Sequence, residues 1–244
     1  MTGQDEPSLT LPRRFYRSVA VTRLEQGYAP QLDGRTPRSP GRQPLVAPTE
    51  ALASLLAEEW EAQVEVIDMA RMPAVRLAYT ALDRVTETRA EIADELARFA
   101  GSDVICYFAD APRELAEAEA EVWTPWISWA GERLGAPLLP VSGVIHRPQP
   151  VEALQRIREL ALAEDDFTLA GLAFGAALYG SAVLAFAVRH GALPAVEAYE
   201  VSRFDEVFQA RRWGLDAEAE RRREALTAEA EMLRRWFAAR HSHG

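Results

Sequence analysis

The chain of 244 residues contains no lysine and only one cysteine, Cys106. A single cysteine excludes an internal disulfide and fits a reducing compartment. All 27 basic side chains are therefore arginines, set against 37 acids for a net charge of −10. The missing lysine suggests a GC-rich, bacterial coding genome and carries little functional weight. An acidic excess spread over most of the chain argues against a nucleic-acid partner, since a phosphate backbone needs a basic surface. Neither GxxxxGKS/T nor GxGxxG occurs, so no nucleotide site and no cofactor are expected. The opening Met-Thr-Gly-Gln-Asp-Glu-Pro-Ser has two acids and no apolar run. Neither a secretory signal nor an arginine-rich presequence is visible there, which places the protein in the cytoplasm.

Groups with an evident catalytic task are also scarce. Of the four histidines, His241 and His243 lie at the very end, and no physiological metal site is expected from them. His146 with Cys106 is the one conceivable base and nucleophile pair, but nothing around either has the character of a thiol enzyme. Asp165 with Asp166, and Asp205 with Glu206, are neighbours in sequence and so point different ways on a helix, which does not suit paired acid and base work. The acid run Glu114, Glu117, Glu119 and Glu121 reads as a solvated helix face. Phe167 to Val188 is uncharged for 22 residues, long enough to cross a bilayer. Gly171, Gly175, Gly180, Ser181 and many alanines dilute it, and a central helix buried on all sides is the expectation, with no stable membrane insertion.

What is present describes an α+β protein. Residues 1–48 form a small N-terminal β domain: Val19, Val21, Thr22 and Tyr28 favour strands, and Gln26-Gly27 and Asp33-Gly34 are hairpin signals. Pro30, Pro37, Pro40, Pro44 and Pro48 exclude a long helix there. Residues 49–244 are mainly helical, an orthogonal-type bundle. Thr49 caps a helix carrying Leu52, Leu55, Leu56 and Trp60, and Thr88 with Glu91 forms a capping box before Ile92, Leu96 and Phe99. Residues 103–108 are ambiguous between strand and helix. A helix from about 113 to 134 puts Trp123, Ile127, Ala130 and Leu134 in one stripe, with Trp126 beside it and Pro125 as a kink or restart. Trp129 falls about 120° from Trp123, at the edge of that stripe, and is the tryptophan least accounted for by core packing. Leu138 to Ile145 looks extended. Helices at 151–163, 167–189, 195–212 and 216–239 finish the chain, with Glu231 able to pair with Arg235.

The stretch Ser202-Arg-Phe-Asp-Glu206-Val-Phe-Gln209-Ala-Arg-Arg-Trp213-Gly214-Leu-Asp216 holds no catalytic group, yet spaces its polar and aromatic residues in a definite way. Ser202, Glu206, Gln209 and Trp213 line one face of a helix that Gly214 stops, with Asp216 as the next N-cap. It reads either as a binding surface or as a helix end packed on its neighbour.

This stretch resembles the signature of the assembly chaperones that hold the free α subunit of the F₁ head of ATP synthase. The resemblance extends to Arg14-Phe15-Tyr16, Tyr28 to Arg35, Leu45 to Pro48, Ala57 to Gln63, Ile67 to Pro73 with Asp83, Asp103 to Tyr107, Leu115, Glu119, Trp123-Thr124-Pro125, Trp129, and Gly143 to Ile145. The chain departs from the family at Glu119, usually Gln, at Thr124, usually Asp, and at Phe108, often basic. The resemblance implies a non-enzymatic, monomeric chaperone. It masks the β-facing interface of the α subunit until the β subunit displaces it. Glu206, Gln209, Trp213, Asp216 and Trp129 are the implied client contacts. Eukaryotic members of such a family work in the mitochondrial matrix. The rival from another class is an enzyme or small-molecule binder with a pocket between the β region and the bundle, near Trp129, Cys106 and His146.

Overall fold

A computed structural model describes the backbone of residues 11–143, 147–213 and 217–241, and the side chains of those residues apart from 209–213, 217 and 241. The β region is built as its turn residues demand. Strands β1, Val19–Leu24, and β2, Gly27–Leu32, pair antiparallel from Val19↔Leu32 to Leu24↔Gly27. Gly27 closes the hairpin at φ +143, and a Cβ there would stand 2.4 Å from the Ala47 carbonyl oxygen. Only glycine admits both the conformation and the approach. That approach lets Tyr28 and Ala47 exchange backbone hydrogen bonds of 2.8 and 2.7 Å, carrying the Leu45 to Pro48 segment alongside β2. At the second turn the Asp33 carboxylate accepts from the amide and hydroxyl of Ser18 and from the amide of Arg17, which holds its pKa below the usual range.

Helix α1, Glu50–Glu61, starts where Thr49 predicts: the Thr49 hydroxyl accepts from Leu52 N at 3.2 Å and donates to Ala239 O at 2.7 Å. Its buried side, with Leu52, Leu55, Leu56 and Trp60, joins Tyr16, Leu32 and Leu45 of the β region in one apolar cluster. Helix α2, Pro73–Thr80, passes through a π turn at Ala81–Val85 into α3, Thr86–Gly101. The expected capping box at Thr88 does not form. The chain is already helical before it, so the Thr88 hydroxyl donates back to Arg84 O at 2.9 Å and the residue marks a kink instead.

Helix α4, Arg113–Trp129, runs through Pro125 into a π turn at Ala130–Leu134, with Thr124 and Pro125 on its exposed side. Trp123, Ile127, Ala130 and Leu134 are buried together, as their spacing requires. The ambiguous segment before it resolves into a 3-10 turn at Val104–Cys106 and a short strand β3, Tyr107–Phe108, parallel to β4, Val141–Ser142.

The long apolar run is not one helix. After α5, Val151–Ala163, it forms α6, Asp166–Tyr179, and α7, Ala182–Arg189. Gly180 at φ +64 ends the first, and the Ser181 hydroxyl caps the second by accepting from Leu184 N at 3.0 Å. Among the described residues no helix is long and apolar enough to cross a membrane. The stretch expected as 195–212 is also two helices, α8, Ala195–Ser202, and α9, Phe204–Trp213, broken at Arg203 with φ −115 and ψ 22. Helix α10, Ala217–His241, lies across α6 and α1. A Cβ on Gly171 would meet Phe237 at 2.8 Å and Trp236 at 2.9 Å, so the small residues of α6 serve close approach of α10. Glu231 pairs with Arg234 rather than Arg235, because Arg235 reaches across to Glu58 of α1. The whole is an α+β fold, a small sheet followed by packed helices.

Candidate functional site

Four carboxylates from the resembling segments brace the scaffold. Glu59 of α1 accepts from Ala74 N at 2.9 Å and Val75 N at 2.8 Å, satisfying first-turn donors of α2 that its N-cap residue Met72 leaves without a side-chain cap. Burial pushes its pKa up against those two hydrogen bonds. Asp83 accepts from Gly41 N at 2.8 Å and from the Ser39 hydroxyl, pinning the proline-rich loop. Asp103 is 0 % exposed and accepts from Val183 N at 3.1 Å at the start of α7. Burial pushes its pKa up to about 7, against the hydrogen bonds it accepts around that helix start. Glu119 corrects the reading of a solvated acid face: it is 2 % exposed and accepts from Ala109 N at 2.7 Å. Burial raises its pKa, the Ala109 amide opposes that, and Asp205 of α9 raises it further.

The candidate client segment is organised differently. Trp123 of α4 donates its indole N–H to Val201 O at 2.8 Å, which fixes the end of α8. Ser202 is buried and turns its hydroxyl back onto Tyr199 O at 2.8 Å. It therefore belongs to the helix end and does not share a face with Glu206; the break at Arg203 interrupts the spacing that linked them. Beyond the break Phe204 and Phe208 approach to 6.4 Å, and the charge of Asp205 is felt by Glu119. Glu206 leaves the body, its side chain 65 % exposed, with an ion pair to Arg203 at 3.3 Å. Gln209 and Trp213 follow at i+3 and i+7 on the α9 backbone, on the face that Glu206 begins, and their side chains lie outside the described residues. Asp216 lies outside the described residues altogether.

Trp129 is the last residue of α4. It is half-buried where α4 meets α7, its ring 6.4 Å from Trp126 and 6.0 Å from His190. Six residues separate it from Trp123, roughly 9 Å of helix rise. The edge position is the one its phase predicts.

The groups named by the enzyme reading are Trp129, Cys106 and His146. Cys106 is fully buried, and burial followed by the nearby Asp103 pushes its thiol far above the ordinary range. His146 lies outside the described residues. An open cavity of about 240 Å³ between β1 and α1 is lined by Val19, Ala20, Val21, Ser54, Ala57, Glu58 and Glu61, with neither Cys106 nor Trp129 among them. Among the described residues no group of three or more His, Cys, Asp or Glu is placed to hold a metal.

Solved structures share this fold. Atp12 from Paracoccus denitrificans superposes with a TM-score of 0.87 at 42% identity, covering 93% of this chain and 98% of that one. A point mutant of the same protein gives the same score and identity over 93% and 97%. A protein of Agrobacterium tumefaciens described as a candidate chaperone gives 0.88 at 37% identity over 94% and 86%. Residues 13–131 match the family described as ATP12 chaperone protein, and the chain belongs to that family. Among curated proteins, the mitochondrial protein atp12 of Schizosaccharomyces pombe is 26% identical over 216 residues, which is 83% of this chain and 74% of that protein.

Proposed function

We propose that this chaperone serves ATP synthase assembly by holding the free α subunit of the F₁ head and covering the surface that later meets β. An unpaired apolar subunit interface is prone to aggregate, and a cover that β displaces protects it without consuming ATP. The observation that carries the reading is the contrast among carboxylates in the family-like segments. Glu59, Asp83, Asp103 and Glu119 are committed to backbone amides, whereas Glu206 stands 65 % exposed at the head of a helix and, among the described residues, makes a local ion pair with Arg203. A carboxylate without a bracing task, on the face continued by Gln209 and Trp213, suits a polar rim beside an aromatic anchor.

The test is direct. Purified free α subunit mixed with this chain should form a complex that stays in solution, and added β subunit should release the chain. Absence of a complex at micromolar concentrations of both proteins overturns the reading. No specific observation favours the enzyme alternative.

A further inference from the structure

Two segments far apart in sequence form a ribbon outside both sheets. Residues 11–16 run antiparallel to 63–67 through the Arg13↔Val66 pairing, with Arg14 N on Glu65 O at 2.9 Å and Ile67 N on Pro12 O at 2.8 Å. Side chains alternate across such a ribbon, and this register sets Phe15 opposite Val64. One face, with Tyr16, Gln63 and Ile67, is buried on the body. The other turns Leu11, Phe15, Val64 and Val66 outward, exposed by 43, 73, 80 and 38 %. The ribbon is firmly held: the Tyr16 hydroxyl donates to Trp60 O at 2.6 Å, and Arg14 lies 4.5 Å over the Tyr16 ring while donating to Glu61 O at 3.1 Å. Four large apolar side chains on one braced face form a patch of the kind that marks an interaction site.

Charge selects the occupant. Arg13 is exposed within this face and forms no ion pair among the described residues, in a chain whose net charge is −10. A second copy meeting the same face about a two-fold would bring arginine toward arginine between apolar groups, which is unfavourable. The chain's own first ten residues carry Asp5 and Glu6 but only Met1 and Leu9 as large apolar side chains, too little to cover Phe15 and both valines. We infer that the ribbon face is a second client contact, fitted to an apolar surface of the partner protein that carries a carboxylate. The inference rests on the client reading above. It places this contact on the ribbon beside α1, whereas α9 docks on α4 and α8.

Titration of the free α subunit against the full chain tests it. Phe15→Ser with Val64→Thr should weaken binding about tenfold or more, and Arg13→Glu comparably, while Arg13→Lys stays near wild type. All should melt within a few degrees of wild type, since exposed side chains contribute little to the fold. Wild type binding α while these variants bind equally well overturns the ribbon contact and leaves the client reading standing. Wild type failing to bind α removes both. Concentration-dependent dimerisation of wild type that the double variant abolishes assigns the face to a second copy. Tighter client binding by Asp5→Asn with Glu6→Gln assigns it to the chain's own N-terminus. Either result overturns the inference.

Discussion

Asp103 and Glu206 are both carboxylates at the start of a helix or its break, and their surroundings could hardly differ more. Asp103 is 0 % exposed, wedged between the 3-10 turn and α7, with its Oδ1 lacking a hydrogen-bond partner among the described residues. Glu206 is 65 % exposed and pairs with Arg203 at the break before its helix. Around Asp103 everything is packed: Val104 N reaches Gly180 O at 3.1 Å, and α7 is buried from Ala182 to Val188. A carboxylate in the first place bears on stability, and the proposed role of one in the second is recognition, because a buried acid interacts strongly with few fixed groups and an exposed one weakly with whatever arrives.

The largest effect is therefore expected at Asp103. Its folded pKa of about 7 lies above its ordinary value of 3.8, so the folded state binds its proton more tightly. The stability linked to that proton is fully present below about pH 4 and is lost as pH rises through 7. Burial raises the pKa of Glu119 in the same direction. Each unit of separation corresponds to about 1.4 kcal/mol, so the loss is on the order of a few kcal/mol. Chemical denaturation from pH 5 to pH 8 should show falling stability in the wild type and a flatter profile in Asp103→Asn. An unchanged slope would mean that Asp103 ionises freely in the fold. Asp103→Ala should be worse at every pH, because it strips the Val183 amide of its acceptor.

Next comes the tight seam between α6 and α10. Gly171→Ala places a methyl 2.8 Å from the Phe237 ring and 2.9 Å from Trp236, whose indole donates to Phe167 O at 3.1 Å. Overpacking of this kind costs about 1–3 kcal/mol, which a thermal melt should record as a drop of several degrees. A melt unchanged within a degree would show that the two aromatic rings yield easily.

What could be read from the sequence follows the same division between local and distant causes. Thr49, the Gln26-Gly27 turn and the Trp123 to Leu134 stripe depend on neighbours a few residues away, and all form as predicted. The split of the apolar run had its local sign in Gly180-Ser181, a helix stop followed by a cap, but 22 uncharged residues outweighed it. The break at Arg203 had none: neither glycine nor proline stands there, and Arg203 spans from Leu178 O to Glu206. Glu119 was misread because the amide it accepts from arrives from the loop before α4. The apolar ribbon was missed for the same reason, since Arg13 meets Val66 across 53 positions and only the alternation Val64-Glu65-Val66 hinted at a strand.

The smallest effect on stability, and the largest on recognition, is expected at Glu206. Glu206→Lys removes an ion pair of 3.3 Å to Arg203 and sets two cations at i and i+3. Such pairs on an exposed helix are worth about 0.2–0.5 kcal/mol, so the melting temperature should stay within a few degrees of wild type. Capture of the free α subunit should nevertheless fall sharply, because a reversed charge adds repulsion to a lost attraction. Were Glu206 instead a brace for the turn between α8 and α9, the same change would lower the melting point and the yield before any client is added. Both quantities come from one preparation. A variant that melts normally and still captures α would leave Glu206 with neither role, and the contrast with Asp103 would then describe exposure alone.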